Sequence, residues 1–306
     1  MRAPNHLEIK QQCKDAINGI FKSIGRAPPA KVYLDDQGWV NPCIFADDLV
    51  VRFNARDTHL PKFQREKIIF DQLRSIIPVP VCLKLDDSRA LVPFDFMICE
   101  KIDGENLEKN WATMGEELSN SLAYQAGKLL AIIHSVELPS FGEISKIGIF
   151  SKPKSWPEYL RLILNYHLDE AMQLGLFTEK QKNKFLVSFE KGVPLLDQVK
   201  TANLIHGDFH FGNLLYSDKK IAGVLDFEWA CSGDPLYDLT HLRDIDSKWP
   251  GSQDSFNQGY EISGFSAAEV KKMKIYTMIK NVELCVVAKK FFTDAEAKEF
   301  VEITIK

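Results

Sequence analysis

The feature that most constrains this chain is the stretch of residues 204–242, LIHGDFHFGNLLYSDKKIAGVLDFEWACSGDPLYDLTHL. Apolar runs at residues 214–216 and 221–225 flank the turn-forming segment 217–219, a pattern that predicts a β-hairpin. This layout brings three polar side chains to one rim of the hairpin: Asp208, Asn213 and Asp226.

The chemistry of this trio fits phosphoryl transfer. That reaction requires a carboxylate that orients the acceptor hydroxyl and takes its proton, for which Asp208 is the candidate. It also requires oxygen ligands for Mg²⁺, for which Asn213 and Asp226 are the candidates. The catalytic loop of protein kinases separates its Asp from its Asn by the same five residues. A lone Asp or Asn in a turn is usually structural, but the joint occurrence favours a phosphotransfer site.

The rest of the chain predicts an α+β fold in two lobes. Five strands are predicted at residues 32–34, 43–45, 49–53, 81–85 and 94–99, with helices at 11–24 and 63–73. Four longer amphipathic helices follow at residues 118–134, 156–174, 179–199 and 267–292. The short polar segment 100–106 is expected to act as a hinge between an N-terminal lobe, residues 1–103, and a C-terminal lobe, residues 104–306.

The motifs HGDFHFGN, LDFE and GDPLYDL, taken together, resemble the aminoglycoside phosphotransferase and choline kinase-like superfamily. The resemblance spans residues 32–242. It implies a two-lobed protein-kinase-like fold with a small antiparallel-sheet N-lobe, a larger mainly helical C-lobe and a nucleotide between them.

The resemblance also implies a nucleotide site in the N-terminal third. Arg52 is similar to the phosphate-binding cation of the family, with Arg in place of Lys, and Glu66 to the helix residue that pairs with it. A guanidinium can bind phosphate and Glu66 bidentately, so this departure leaves activity intact. Glu100 would offer its carbonyl and Ile102 its amide to the adenine, and residues 38–41 resemble the nucleotide-positioning loop.

Several residues near the trio have competing interpretations. Glu228, after Asp226, is either a supporting acid behind the metal site or an acceptor contact. His206 is expected to fix its loop by hydrogen bonds rather than to catalyse, and Asp238 to brace the same loop. His210 is expected to be solvated or packed, with contact to phosphate as the alternative. Three aromatic residues at helical spacing are expected in the core, with the lining of an acceptor pocket as the alternative: Trp156, Tyr159 and Tyr166.

Composition excludes several classes of protein. A formal net charge of −4 argues against a nucleic-acid or anionic-membrane partner. The six cysteines form no CxxC pair, which favours a reducing, cytoplasmic location over a disulfide framework. No signal-like N-terminus and no run of about 18 apolar residues is present. A monomer or weak homodimer is expected.

The predicted reaction is transfer of the γ-phosphate of ATP or GTP to a hydroxyl of a small molecule, with Mg²⁺. Between His206 and Lys248 the chain has eight acidic and four basic residues. This excess, notably Glu228, Asp244 and Asp246, predicts a cationic acceptor such as an aminoglycoside antibiotic, with a solvated acidic surface as the alternative. Choline or amino alcohols, macrolides and sugars remain alternative acceptors. Protein kinases carry a large activation loop after the aspartate that corresponds to Asp226. Here Gly233 follows Asp226 within eight residues, so no activation loop and no protein acceptor are expected.

Three other classes of function are weighed against this one. A dinuclear phosphoesterase requires more His and Asp ligands than seven histidines and one cluster provide. A non-catalytic kinase-like module is expected to lack a member of the trio. An oxidoreductase of the dinucleotide-binding type is expected to carry GxGxxG after a strand, and the sequence has none.

Overall fold

The N-terminal part of the chain forms a five-stranded antiparallel sheet with two helices. The computed structural model describes residues 6–35, 41–55, 58–144 and 153–305. The strands, in the spatial order β1-β2-β3-β5-β4, are β1 (Val32–Leu34), β2 (Cys43–Ala46), β3 (Leu49–Asn54), β4 (Cys82–Asp86) and β5 (Asp95–Glu100). The helices are α1 (His6–Lys22) and α2 (Lys62–Leu73). Six of these seven elements begin and end within one residue of their predicted positions, and α1 begins five residues before its predicted start.

Strand β5 is buried on both faces, which places this sheet between two hydrophobic clusters. Phe96 and Ile98 pack in a cluster with the apolar side of α1. Met97 and Cys99 point the other way, into the main core that also contains Phe70 of α2. Alternate residues of a strand face opposite sides of its sheet, so the uninterrupted apolar run 96–99 produces this double burial.

The C-terminal part is mainly helical. Its helices are α3 (Leu107–Asn110), α4 (Glu116–His134), α5 (Trp156–Gln173), α6 (Glu179–Leu196), α7 (Leu236–Leu239), α8 (Gln253–Tyr260), α9 (Ala267–Phe291) and α10 (Asp294–Ile305). Its strands are β6 (Glu105–Asn106), β7 (Gly142–Glu143), β8 (Asn203–Ile205), β9 (Leu214–Ser217), β10 (Lys220–Val224) and β11 (Cys231–Gly233). They form two small sheets, β10-β9-β6 and β7-β11-β8. The two-lobed α+β prediction is confirmed.

The predicted hairpin is β9 and β10, which pair antiparallel with Lys220 opposite Ser217. The 3₁₀ turn Phe211–Asn213 leads into it, and β11 follows shortly after it. Strand β8 pairs with β11, so the two ends of the 204–233 segment are fixed side by side. Two strand pairings therefore hold the short segment that carries Asp208, Asn213 and Asp226: β8 with β11 at its ends and β9 with β10 within it.

The main core extends across the predicted lobe boundary at residues 103 and 104. It joins Ile69 and Leu73 of α2 to Leu204 and Phe227 around the hairpin and to Tyr276 of α9. The proposed division into residues 1–103 and 104–306 therefore stays a prediction.

Helices α4 and α8 cross closely enough to require glycine at the contact. A Cβ added to Gly127 of α4 would lie 2.2 Å from the Phe256 carbonyl oxygen of α8. The close crossing brings the Tyr260 hydroxyl within 2.7 Å of His134 Nδ1, at the C-terminal end of α4. None of the helices in the described ranges is both long and apolar enough to cross a membrane.

Candidate active site

The loop after β8 is held by His206, whose side chain is fully buried. His206 Nε2 lies 3.0 Å from the Leu225 carbonyl oxygen, which can only accept, so this nitrogen carries the proton. Nδ1 is then free to accept from the Asp208 backbone N–H at 3.3 Å. Burial lowers the pKa of His206, in keeping with this neutral ring. These contacts agree with the predicted loop-fixing role.

Gly207 has a positive φ of 85°, and no side chain fits there. A Cβ would lie 2.3 Å from the Trp229 carbonyl oxygen. The turn that presents Asp208 therefore requires glycine.

Asp238, a buried residue of α7, stabilises this turn by hydrogen bonds to its backbone. Its two carboxylate oxygens accept the backbone N–H groups of His206 at 2.7 Å and Gly207 at 2.8 Å. His134 Nε2 lies 3.0 Å from one of them. Burial would raise the pKa of Asp238, but the His134 hydrogen bond and the positive charges of His134 and Lys280 outweigh burial and lower it to about 2. Asp238 is thus an ionised, fully bonded carboxylate.

Asp208 and Asn213 are joined directly. The Asn213 side-chain amide donates to the Asp208 backbone carbonyl at 2.8 Å, so its nitrogen stabilises the loop that carries Asp208. His210 Nε2 lies 3.7 Å from Asp208 Oδ2. Burial would raise the pKa of Asp208, but the interaction with His210 and the charge of Lys280 lower it. Asp208 is therefore ionised near neutral pH, as a proton acceptor must be.

Asp226 lies at the end of β10 in a left-handed backbone conformation, with φ 66°. Its Oδ1 is 3.2 Å from Arg52 Nη2. Burial and the charge of Glu228 raise the pKa of Asp226 to about 7, and Arg52 only partly offsets them. A further cation at this carboxylate would lower that pKa again.

Arg52 and Glu66 form the ion pair that links the N-terminal sheet to this segment. Arg52 Nη1 lies 2.7 Å and 2.8 Å from the two Glu66 carboxylate oxygens. Glu66 is fully buried and also accepts the Phe227 backbone N–H at 3.0 Å. One carboxylate thus connects β3, α2 and the residue after Asp226.

Glu228 lies in an ion pair with Lys62, whose Nζ is 3.1 Å from Glu228 Oε1. The Lys62 ammonium also lies 4.0 Å from the centre of the Trp229 ring. Glu228 does not line the cavity described below. Of the two predicted alternatives, the structure favours the supporting acid over the acceptor contact.

The predicted hinge begins at the last residue of β5. Glu100 is exposed and ends the strand. The Ile102 backbone N–H donates no hydrogen bond to another described residue, so it can serve a ligand. Residues 38–40 of the predicted nucleotide-positioning loop lie outside the described residues.

A cavity of about 590 Å³ opens beside Asp208. This volume is within the usual range for small-molecule sites. Among the predicted site residues that the structure describes, only Asp208 lines this cavity. Asp208 therefore lies between the cavity and the pair formed by Arg52 and Asp226. Seven aromatic residues line it: Tyr159, Tyr166, Phe209, Trp229, Tyr237, Trp249 and Phe291.

The predicted core aromatics divide between core and cavity. Trp156 is fully buried and donates from Nε1 to the Tyr276 hydroxyl at 3.0 Å. Tyr159 is buried but reaches the cavity wall, and Tyr166 is more than a third exposed there. The prediction of a core position is wrong for Tyr166, because its side of α5 faces the cavity. His210 packs parallel to the Trp249 ring, as a packing residue would.

Two buried lysines were not predicted from the sequence: Lys62 and Lys280. Lys280 follows Met273 by seven residues and Tyr276 by four, positions that share one face of a helix. A lysine on this otherwise buried face is the sequence signal that could have identified it.

The chain is similar in sequence to one protein family and in fold to several solved structures. The sequence profile described as Phosphotransferase enzyme family matches residues 34–271. Among solved structures, aminoglycoside phosphotransferase APH(2'')-Ib with ADP bound has a TM-score of 0.69 and 17% identity, covering 95% of this chain and 96% of that one. The gentamicin complex of APH(2")-IIa has a TM-score of 0.68 and 18% identity, covering 97% and 95%. At these identities the likeness shows the fold alone.

Curated relatives carry a different name, acyl-CoA dehydrogenase family member 11. The Homo sapiens protein is 25% identical over 247 residues, which are 76% of this chain and 30% of that protein. The Mus musculus protein is 30% identical over 249 residues, 74% of this chain and 29% of that protein. The chain thus spans less than a third of the length of these relatives.

The buried ion pair generates a first prediction. In a double-mutant cycle of Arg52→Ala and Glu66→Ala, unfolding free energies should show a coupling of about 1–3 kcal/mol, because Arg52→Ala leaves the fully buried Glu66 carboxylate without its charge partner. The exposed pair Lys67–Asp71 on the same helix, with Nζ and Oδ2 2.6 Å apart, is the matched control. Its cycle should give less than about 0.5 kcal/mol. Equal coupling in the two cycles would contradict the role assigned to Glu66.

The brace under the loop generates a second prediction. Asp238→Asn should lower the free energy of unfolding by about 1–3 kcal/mol, because one backbone N–H in the turn loses its acceptor. The exposed Asp254→Asn should leave it unchanged within about 0.5 kcal/mol.

The same variant has a pH signature. A carboxyl with a pKa lowered to about 2 stabilises the fold fully above its usual value near 4 and loses that contribution as the pH falls towards 2. The stability difference between wild type and Asp238→Asn, measured by urea unfolding, should therefore narrow below pH 4. A difference that stays constant there would exclude Asp238 as the ionised brace.

Proposed function

The chain belongs to the Phosphotransferase enzyme family, and we propose that it is a small-molecule kinase that transfers the γ-phosphate of ATP or GTP to a hydroxyl. One observation carries the proposal. Glu66 contacts Arg52 and Arg52 contacts Asp226, while Asn213 contacts Asp208, which lines the cavity. The Leu225 N–H, which precedes Asp226, donates to the Asn213 carbonyl at 2.9 Å and joins the two halves.

In the proposed reaction, Asp208 accepts the proton of the acceptor hydroxyl. The hydroxyl oxygen forms a bond to the γ-phosphorus, the bond from that phosphorus to the bridging oxygen breaks, and the nucleoside diphosphate leaves. Arg52 is proposed to bind the phosphates, held in place by Glu66. Glu100 and Ile102 are proposed to bind the base through backbone groups.

Mg²⁺ is proposed to bind Asn213 and Asp226, and two features of this chain fit it. The Asn213 Oδ1 accepts no hydrogen bond from a described residue, because the amide nitrogen makes both contacts of this side chain. Asp226 carries a raised pKa that a cation would relieve. No cluster of three His, Cys, Asp or Glu side chains suited to a metal occurs in the described ranges, in keeping with a site that phosphate oxygens and water complete. When bound, Mg²⁺ neutralises charge on the phosphates.

The sequence predicts a cationic acceptor, but the surroundings of the three acidic residues behind that prediction favour a different class. Glu228 is in an ion pair with Lys62, and Asp246 accepts the Gln253 backbone N–H at 2.7 Å. Only Asp244 of the three residues lines the cavity. Among the described residues of the lining the charges balance, with five cations (Lys62, Arg65, Lys248, Lys280, Lys290) and five carboxylates (Glu143, Glu170, Asp208, Asp244, Glu283). The aromatic lining and this balance support an acceptor with an apolar body that need not be cationic.

An aminoglycoside acceptor remains the second candidate. It is supported by the gentamicin complex of the similarly folded APH(2")-IIa and by Asp244 in the cavity. A dehydrogenase activity is not proposed, because the relatives with that name share less than a third of their length with this chain. A cytoplasmic location, where nucleoside triphosphates are plentiful, is part of the proposal.

The proposal predicts different defects for variants of the two aspartates. Asp208→Asn should lower phosphate transfer by about 10²–10⁴-fold and leave Mg–nucleotide binding intact, because proton transfer to a positioned base contributes about that much. Asp226→Ala should weaken Mg–nucleotide binding as well. The measurements are transfer from γ-labelled ATP to a panel of aminoglycosides, choline, sugars and aromatic alcohols, and binding of AMP-PNP with and without Mg²⁺.

The exposed Asp218→Asn, in the turn of the same hairpin, is the control and should behave as wild type. Transfer by Asp208→Asn within threefold of wild type would remove Asp208 from the proposed role. Nucleotide binding by Asp226→Ala that keeps its full dependence on Mg²⁺ would remove Asp226 from the metal site.

A further inference from the structure

Lys280 lies on the wall of the cavity, next to the loop that carries Asp208. It belongs to α9, and only 6% of its surface is exposed. Its Nζ donates to the Gly207 carbonyl oxygen at 3.3 Å and lies 4.2 Å from the centre of the Tyr237 ring. Gly207 directly precedes Asp208, so the ammonium group is beside the proposed base.

The other four cations of the described lining are all in ion pairs. Lys62 pairs with Glu228, Arg65 with Glu143, Lys248 with Glu108 and Lys290 with Glu170. Lys280 differs, since no carboxylate oxygen of a described residue lies within 4.0 Å of its Nζ.

A buried ammonium without a carboxylate partner is costly. Its contacts are one weak backbone hydrogen bond and the face of the Tyr237 ring, so at least one of its three N–H donors lacks an acceptor among the described residues. The carboxylates whose charges act on Lys280 are those of Asp238, Glu283 and Asp208, and none of them has an oxygen within 4.0 Å of the lysine Nζ. A ligand oxygen in the cavity is the partner that this arrangement lacks.

We propose that Lys280 is a specificity-determining residue that binds an oxyanion of the acceptor, such as a carboxylate, near the hydroxyl that Asp208 deprotonates. The inference rests on the proposed function and names the acceptor class of the same site. The acceptor, rather than the nucleotide, is favoured because Lys280 lines the cavity whereas Arg52, Asn213 and Asp226 do not. An aromatic or otherwise apolar body would occupy the rest of the aromatic-lined cavity.

The test compares three acceptors of one shape: para-(hydroxymethyl)benzoate, para-(hydroxymethyl)benzamide and para-(aminomethyl)benzyl alcohol. Their binding to the protein with Mg–AMP-PNP is measured by calorimetry for wild type, Lys280→Met and Lys280→Arg. Wild type should bind the benzoate about tenfold or more tightly than the amide, as a charge-assisted hydrogen bond provides. Lys280→Met should abolish that preference, and Lys280→Arg should restore part of it.

The controls separate this role from a structural one. Lys274→Met, an exposed position on the same helix, should keep the wild-type preference. AMP-PNP affinity should stay within threefold in every variant, and Lys280→Gln replaces Lys280→Met if the latter does not fold.

Three results would overturn the inference. These are a benzoate preference that survives in Lys280→Met, a wild type that binds the amide or the amine at least as tightly as the benzoate, and a loss of AMP-PNP affinity in Lys280→Met that equals the loss of benzoate affinity. A Lys280-dependent preference without phosphate transfer to any probe would uphold the oxyanion site and count against the proposed reaction.

Discussion

The buried carboxylate of Glu66 is the constraint on which the rest of this site depends. A carboxylate with no exposure to water is stable only if charges and hydrogen-bond donors surround it, and Arg52 and the Phe227 N–H provide them. Because these donors belong to β3 and to the segment after β10, satisfying Glu66 fixes the N-terminal sheet against the hairpin. Arg52 is thereby positioned to reach Asp226 as well.

A second buried carboxylate, Asp238, fixes the loop between β8 and the hairpin. It accepts two successive backbone N–H groups and so determines the turn that presents Asp208. The close crossing of α4 and α8, which requires Gly127, supplies its partner His134. Asp208 is left between two braced segments, with one side open to the cavity, and this is the preorganisation that a catalytic base requires.

Much of this could be predicted from the sequence, for physical reasons that also explain the failures. The strands and long helices followed from local periodicity, and the trio from a fixed spacing within one short segment. Helices α8 and α10 were not predicted, because α8 has eight residues and α10 follows α9 after two residues without a strong break. The Lys62–Glu228 pair, 166 residues apart, and the cavity position of Lys280 and Tyr166 depend on tertiary packing that no local pattern contains.

The central claim is that Arg52, Asn213, Asp208 and Asp226 form one phosphotransfer site. A crystal structure with Mg²⁺ and AMP-PNP tests it most directly. We expect the nucleotide between the sheet and the hairpin, its phosphates beside Arg52, a metal ion bound by Asn213 Oδ1 and Asp226, and the γ-phosphate facing Asp208. A nucleotide bound elsewhere, or a metal ion bound by neither Asn213 nor Asp226, would contradict it.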